Sequence, residues 1–121
     1  MRRHNFKKLQ IWQEAMVLID ENYLLTSKLP DYEKYGLRTQ MNRCSVSIAS
    51  NISEGSSKGT DRHFLKYLDD SLGSAFEWET QLNVCHRQNF IEEELFLKLE
   101  DQVKKVQCKI SNFMDSLDPD K

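Results

Sequence analysis

Glycine and proline are scarce, four and two in 121 residues. So few turn formers exclude an architecture of many short strands and favour a few long helices. Long apolar runs are missing too: Ala15 to Ile19 is among the longest, against the roughly 20 residues a membrane helix needs. No membrane partner is expected. The opening MRRHNFKKL is basic, but Gln13, Glu14 and Asp20 interrupt the apolar region of roughly 7 to 15 residues that a signal peptide requires. A cytoplasmic location is expected. Cysteine is limited to Cys44, Cys85 and Cys108, an odd number without a CxxC pair. All three are expected as reduced, small core residues.

Chemistry-bearing constellations are also absent. No glutamate has a histidine three residues later, which excludes the Glu-x-x-His pattern of di-iron bundles. His4, His63 and His86 lack partners at metal-ligand spacing and are expected at the surface or an interface. The run Glu92, Glu93, Glu94 is explained by the dipole at a helix start rather than by a cation. Ser45 and Ser47 have no nucleophile elbow, and GSSKG is too short for a phosphate loop. An enzyme is therefore not expected, and no catalytic residue, cofactor, metal or small-molecule substrate is assigned.

What is present is helical periodicity in one domain, residues 1–121, long enough for a single core. Leu9, Trp12, Met16, Ile19, Tyr23 and Thr26 predict a helix over about residues 6–28, with Asn5 as N-cap and Pro30 as terminator. Leu37, Met41, Cys44, Ile48 and Ile52 predict a second over about 37–54, closed by a loop from Gly55 to Gly59. Thr60 then caps a third helix over about 60–87, which buries Phe64, Leu68, Leu72, Ala75, Trp78 or Glu79, and Leu82. Leu95, Leu99, Val103, Val106, Ile110, Phe113 and Leu117 give a fourth over about 92–117, followed by a frayed tail from Asp118 to Lys121. Short connectors between such helices imply an all-α, antiparallel, up-down-up-down four-helix bundle.

The stretch from Glu33 to Gly55 holds two seams. Gln40, Arg43, Ser47, Asn51 and Glu54 cluster about 100° around the helix from its apolar set. Serine and asparagine compete for backbone hydrogen bonds and disfavour helix interiors, so this seam is expected to have a partner. Gly73, Ser74 and Ala75 offer a small-residue patch for close helix approach, with Glu77 one turn on. Three readings stay open: a hydrogen-bonded contact within the bundle or between subunits, a face for an outside partner, and plain solvent exposure. A buried Arg43 would need a carboxylate such as Glu54 or Glu77.

Charge is uneven along the chain. Residues 1–66 hold 11 Lys+Arg against 7 Asp+Glu, whereas residues 67–121 hold 6 against 12. Uniformly basic nucleic-acid binding is excluded, but Lys34, Arg38, Arg43, Lys58, Arg62 and Lys66, with Arg2, Arg3, Lys7 and Lys8, are candidate phosphate contacts wherever the fold gathers them.

The opening FKKLQIWQEA, the block Glu33, Tyr35, Gly36, Leu37, Gln40, Arg43, Ser47, Ile48, Asn51, Ile52, Glu54, Gly55, and the later GSAFEWET together resemble the bacterial four-helix proteins encoded in 23S ribosomal RNA intervening sequences, the S23 family. Cys44, Ser45 and Ser53 stand where the family more often has alanine. The resemblance implies a bundle that assembles as a homopentamer without known enzymatic activity. It also implies association with ribosomal RNA or a ribonucleoprotein, and kinship to accessory proteins of diversity-generating retroelements. The expected function is thus a non-enzymatic oligomer on structured RNA. The alternative is a protein-interaction adaptor with no nucleic-acid role.

Overall fold

Four helices carry the chain in the computed structural model, which describes residues 4–118: α1 Gln10–Thr26, α2 Leu37–Ser56, α3 Asp61–Arg87 and α4 Glu93–Leu117. Arg2, Arg3 and the tail residues Pro119, Asp120 and Lys121 lie outside the described residues. No described helix is long and apolar enough to cross a membrane.

Contacts between neighbours set the direction of each helix. Asn42, near the start of α2, bonds Asn22 and Thr26 near the end of α1. Along α2, Met41, Ile48 and Gly55 meet Cys85, Ser71 and Tyr67 in descending order on α3. Glu79 meets Gln107 and Phe64 meets Phe113 between α3 and α4. Glu21 and Glu14 of α1 pair with Lys98 and Lys109 of α4 at 3.4 and 2.7 Å. Every neighbouring pair is antiparallel, and α4 returns to α1 to close the up-down-up-down bundle.

The apolar seams of α2 and α4 run as their periodicity predicts. Met41, Cys44, Ile48 and Ile52 are buried, as are Leu99, Val103, Val106 and Ile110. On α3 it is Trp78 rather than Glu79 that enters the core, together with Phe64 and Leu82. Each such aromatic or leucine contributes about 1.5–3 kcal/mol of apolar burial. Thr60 caps α3 as expected, its Oγ1 accepting the His63 N–H at 3.2 Å.

Three expectations are corrected. The first helix does not start at residue 6: Phe6–Lys8 form a separate 3-10 turn, and Leu9, in extended geometry, divides it from α1. Asn5 caps that turn by accepting the Lys7 N–H. The stripe predicted for α1 is also displaced. Ile11, Ala15, Leu18, Asn22 and Leu25 are buried, while Met16 and Tyr23 are 37% and 48% exposed. Two stripes interlace on this apolar helix, and Asn22 made the correct one look polar. Finally, α2 continues through Gly55 to Ser56. A Cβ at Gly55 would lie 2.7 Å from Tyr67 Cβ and 2.8 Å from Phe64 Cδ1, so glycine is there for close helix approach, not for a loop.

Candidate nucleic-acid interface and polar seam

The polar seam occupies the outer edge of α2 toward α3. Ser47 is half-buried and its Oγ lies 3.0 Å from Ser74 Oγ across the helix interface. Asn51 Nδ2 donates to the Ser47 carbonyl and hydroxyl at 3.0 and 3.1 Å. These two residues make the seam's contact within the bundle. Gln40, Arg43, Glu54 and Glu77 are exposed. Gln40, Arg43, Cys44, Ser47, Ser74 and Glu77 line an open hollow, and Glu77 accepts from Gln81 at 3.3 Å. Arg43 is solvated, so the carboxylate partner that burial would demand is not needed.

Three of the serines on α2 are satisfied locally. Ser45, Ser53 and Ser56 each donate to the carbonyl three residues earlier. Of the small-residue patch, Ser74 faces α2 and Ala75 is buried. Gly73 is exposed with nothing near its Cβ position. The close approach expected there occurs at Gly55.

The six candidate phosphate contacts do not converge on one patch. Lys34 and Arg38 flank the start of α2, while Lys58, Arg62 and Lys66 surround the α2–α3 corner. Twenty residues of helix, about 30 Å, separate the two groups, with Arg43 between them. Arg38 is half-buried and donates from Nη2 to the Leu29 carbonyl at 2.8 Å, so it secures the α1–α2 connector. Lys34 lies 5.4 Å from the Tyr35 ring centre. None of Lys34, Arg43, Lys58, Arg62 and Lys66 has a carboxylate oxygen within 4.0 Å among the described residues, whereas Lys98, Lys104, Lys105 and Lys109 of α4 all do.

Spacing alone missed two features. At the α1–α2–α3 junction, Trp78 Nε1–H donates to Asn22 Oδ1 at 2.9 Å, and Asn42 Oδ1 accepts from Asn22 Nδ2 and Thr26 Oγ1, both at 2.8 Å. The available signal was polar Asn22 and Thr26 one turn apart inside an apolar helix. At the connector, Glu33 Oε1 accepts the Leu37 N–H at 3.0 Å and caps α2. Cysteine chemistry is muted. Burial, then the Glu77 charge, pushes the Cys44 thiol up to about 12. Burial and Glu33 push Cys85 up to about 11. Cys108 is exposed, contrary to expectation, because it lies off the buried stripe of α4.

The histidines sit at the periphery. His86 stacks on Phe96 at 3.9 Å and meets Glu93 Oε1 at 2.5 Å. His4 packs against Phe64 and Phe113.

Against known proteins, a family model described as 23S rRNA-intervening sequence protein matches residues 7–112. Among solved structures the chain is similar to the crystal structure of a protein with unknown function, from the S23 ribosomal protein family of Bacteroides thetaiotaomicron. The TM-score is 0.80 at 19% identity, over 86% of this chain and 97% of that one. Likeness at that identity establishes the fold. No curated protein matches the chain.

Proposed function

Because the chain belongs to the 23S rRNA-intervening sequence protein family, we propose that it is a non-enzymatic bundle that assembles with copies of itself, as a pentamer, and associates with structured RNA. The observation that carries the RNA reading is the asymmetry of ion pairing. The cations of α4 are neutralised by carboxylates on α1 or α4, while Arg43, Lys58, Arg62 and Lys66 have no carboxylate oxygen within 4.0 Å among the described residues. Unpaired cations are free to replace the counterions of a phosphate backbone. A surface for assembly is the groove beside the seam, where Tyr23 and Val46 lie next to Arg43, Ser47, Ser50 and Asn51. Apolar area with hydrogen-bonding groups suits a subunit contact.

Light scattering at micromolar concentration should give a mass near five chains, and Asn51→Leu or Gln40→Leu should lower it. A monomeric parent would overturn the assembly. Gel retardation at low salt should show RNA binding that fades as salt rises and drops in Lys34→Ala/Arg62→Ala. Absence of any retardation at low salt would overturn the RNA reading. Arg38 is left intact in this test because its substitution would unmake the Leu29 contact.

A further inference from the structure

The α2–α3 corner gathers hydrogen-bond donors around one small hollow. Lys58, His63, Lys66 and Tyr67 line it with a single carboxylate, Asp70. Lys58 Nζ lies 5.0 Å from the centre of the Tyr67 ring, which holds the ammonium beside the hollow. Thr60 Oγ1 accepts the His63 backbone N–H at 3.2 Å and lies 3.0 Å from His63 Nδ1. Either atom of that pair can be the donor, and with either arrangement the bond orients the ring beside the hollow.

Among the described residues, neither Lys58 nor Lys66 has a carboxylate oxygen within 4.0 Å, Asp70 included. The helix end itself is not the feature, since Asp61 occupies the first turn of α3. What distinguishes the hollow is two ammonium groups without a carboxylate partner among the described residues, with an imidazole and a tyrosine beside them. That set complements a tetrahedral oxyanion, which accepts several charge-assisted hydrogen bonds at once.

We propose that this hollow binds a phosphate group, supplied by the backbone of RNA. The assignment of the source rests on the RNA reading above. Lys58 and Lys66 supply charge, and His63 and Tyr67 supply direction. As a backbone contact it positions RNA without reading its sequence.

Two probes separate the site from its source. Inorganic phosphate and a short RNA hairpin are each added at low salt while the His63 ring nitrogens and the amides of residues 58–67 are followed by NMR. RNA affinity is then compared between the parent, Lys58→Ala/Lys66→Ala, and the charge-matched control Lys104→Ala/Lys105→Ala on α4. Both probes should shift the His63 Nε2 signal. The corner variant should lose about tenfold in RNA affinity and lower the salt slope by about two, with the control near the parent. RNA binding that weakens equally in both variants overturns the site and leaves the RNA reading standing. A phosphate response without RNA binding supports the hollow and removes RNA as its source. No response to either probe overturns both.

Discussion

Cys44, Cys85 and Cys108 are the same side chain on helices of one bundle, yet their surroundings divide them. Cys44 donates to the Ser74 carbonyl at 3.1 Å and Cys85 lies against Met41. Both are buried, whereas Cys108 is exposed. Burial disfavours the thiolate, which is why Cys44 is pushed up to about 12 from a usual value near 9. Between those two pH values the folded chain holds a proton that the unfolded chain has released, so stability falls as pH rises through this window. The slope is at most about 1.4 kcal/mol per pH unit for each such thiol. Cys44→Ala removes that term. Urea melts at pH 7, 9 and 10 should show its stability gap from the parent narrowing as pH rises, and a constant gap would refute the account. Sequence spacing located Cys44 and Cys85 correctly because both fall near an apolar stripe. It failed for Cys108, where the adjacent Gln107 takes the buried position and bonds Glu79 Oε1 at 2.8 Å.

At the scale of the element, two glycines carry opposite meanings. Gly55 lies on the α2–α3 contact, where an added methyl meets the Cβ of Tyr67 and the ring of fully buried Phe64. Neither can rotate away. Gly73, mid-helix on α3, has open space around it. Alanine gains about 1 kcal/mol over glycine in a helix interior, while overpacking costs about 1–3 kcal/mol or more. Gly55→Ala should therefore lower stability by about 1–2 kcal/mol, and Gly73→Ala should raise it by about 0.5–1 kcal/mol. Thermal melts of the two variants should move in opposite directions, and a stabilised Gly55→Ala would show that the helices can part without cost. Glycine next to serines reads as a loop in the sequence because composition is local. The reason for Gly55 is a neighbouring helix, and composition does not record it.

For the molecule as a whole, the tie among Asn22, Thr26, Asn42 and Trp78 joins three of the four helices. Asn22 and Trp78 are fully buried, so each polar group there needs its partner. Asn22→Leu would remove the acceptor of the Trp78 N–H and one donor to Asn42. The expected loss is about 2–4 kcal/mol, more than one surface hydrogen bond is worth, because a buried donor is left unsatisfied. Chemical denaturation followed by tryptophan emission measures it, and a loss below about 0.5 kcal/mol would mean that the tie contributes nothing beyond shape. The same tie explains the register of α1. Its apolar residues fit two stripes, and the hydrogen bonds of Asn22 and Thr26 select one.

By itself the sequence determined the four helices, their order, the buried seams of α2 and α4 and the Thr60 cap. Those features depend on residues three or four apart and on hydrogen bonds within one turn. It also showed that α2 has a second, polar seam. Only the tertiary structure decided which stripe of α1 is buried, why Gly55 is glycine, that Arg38 secures a connector, and that the remaining basic residues are spread along α2 and its corner with α3 rather than gathered. Each of those depends on what another helix places opposite. The Asn22–Trp78 bond spans 56 positions of sequence, and periodicity within one helix carries no information about a partner at that separation.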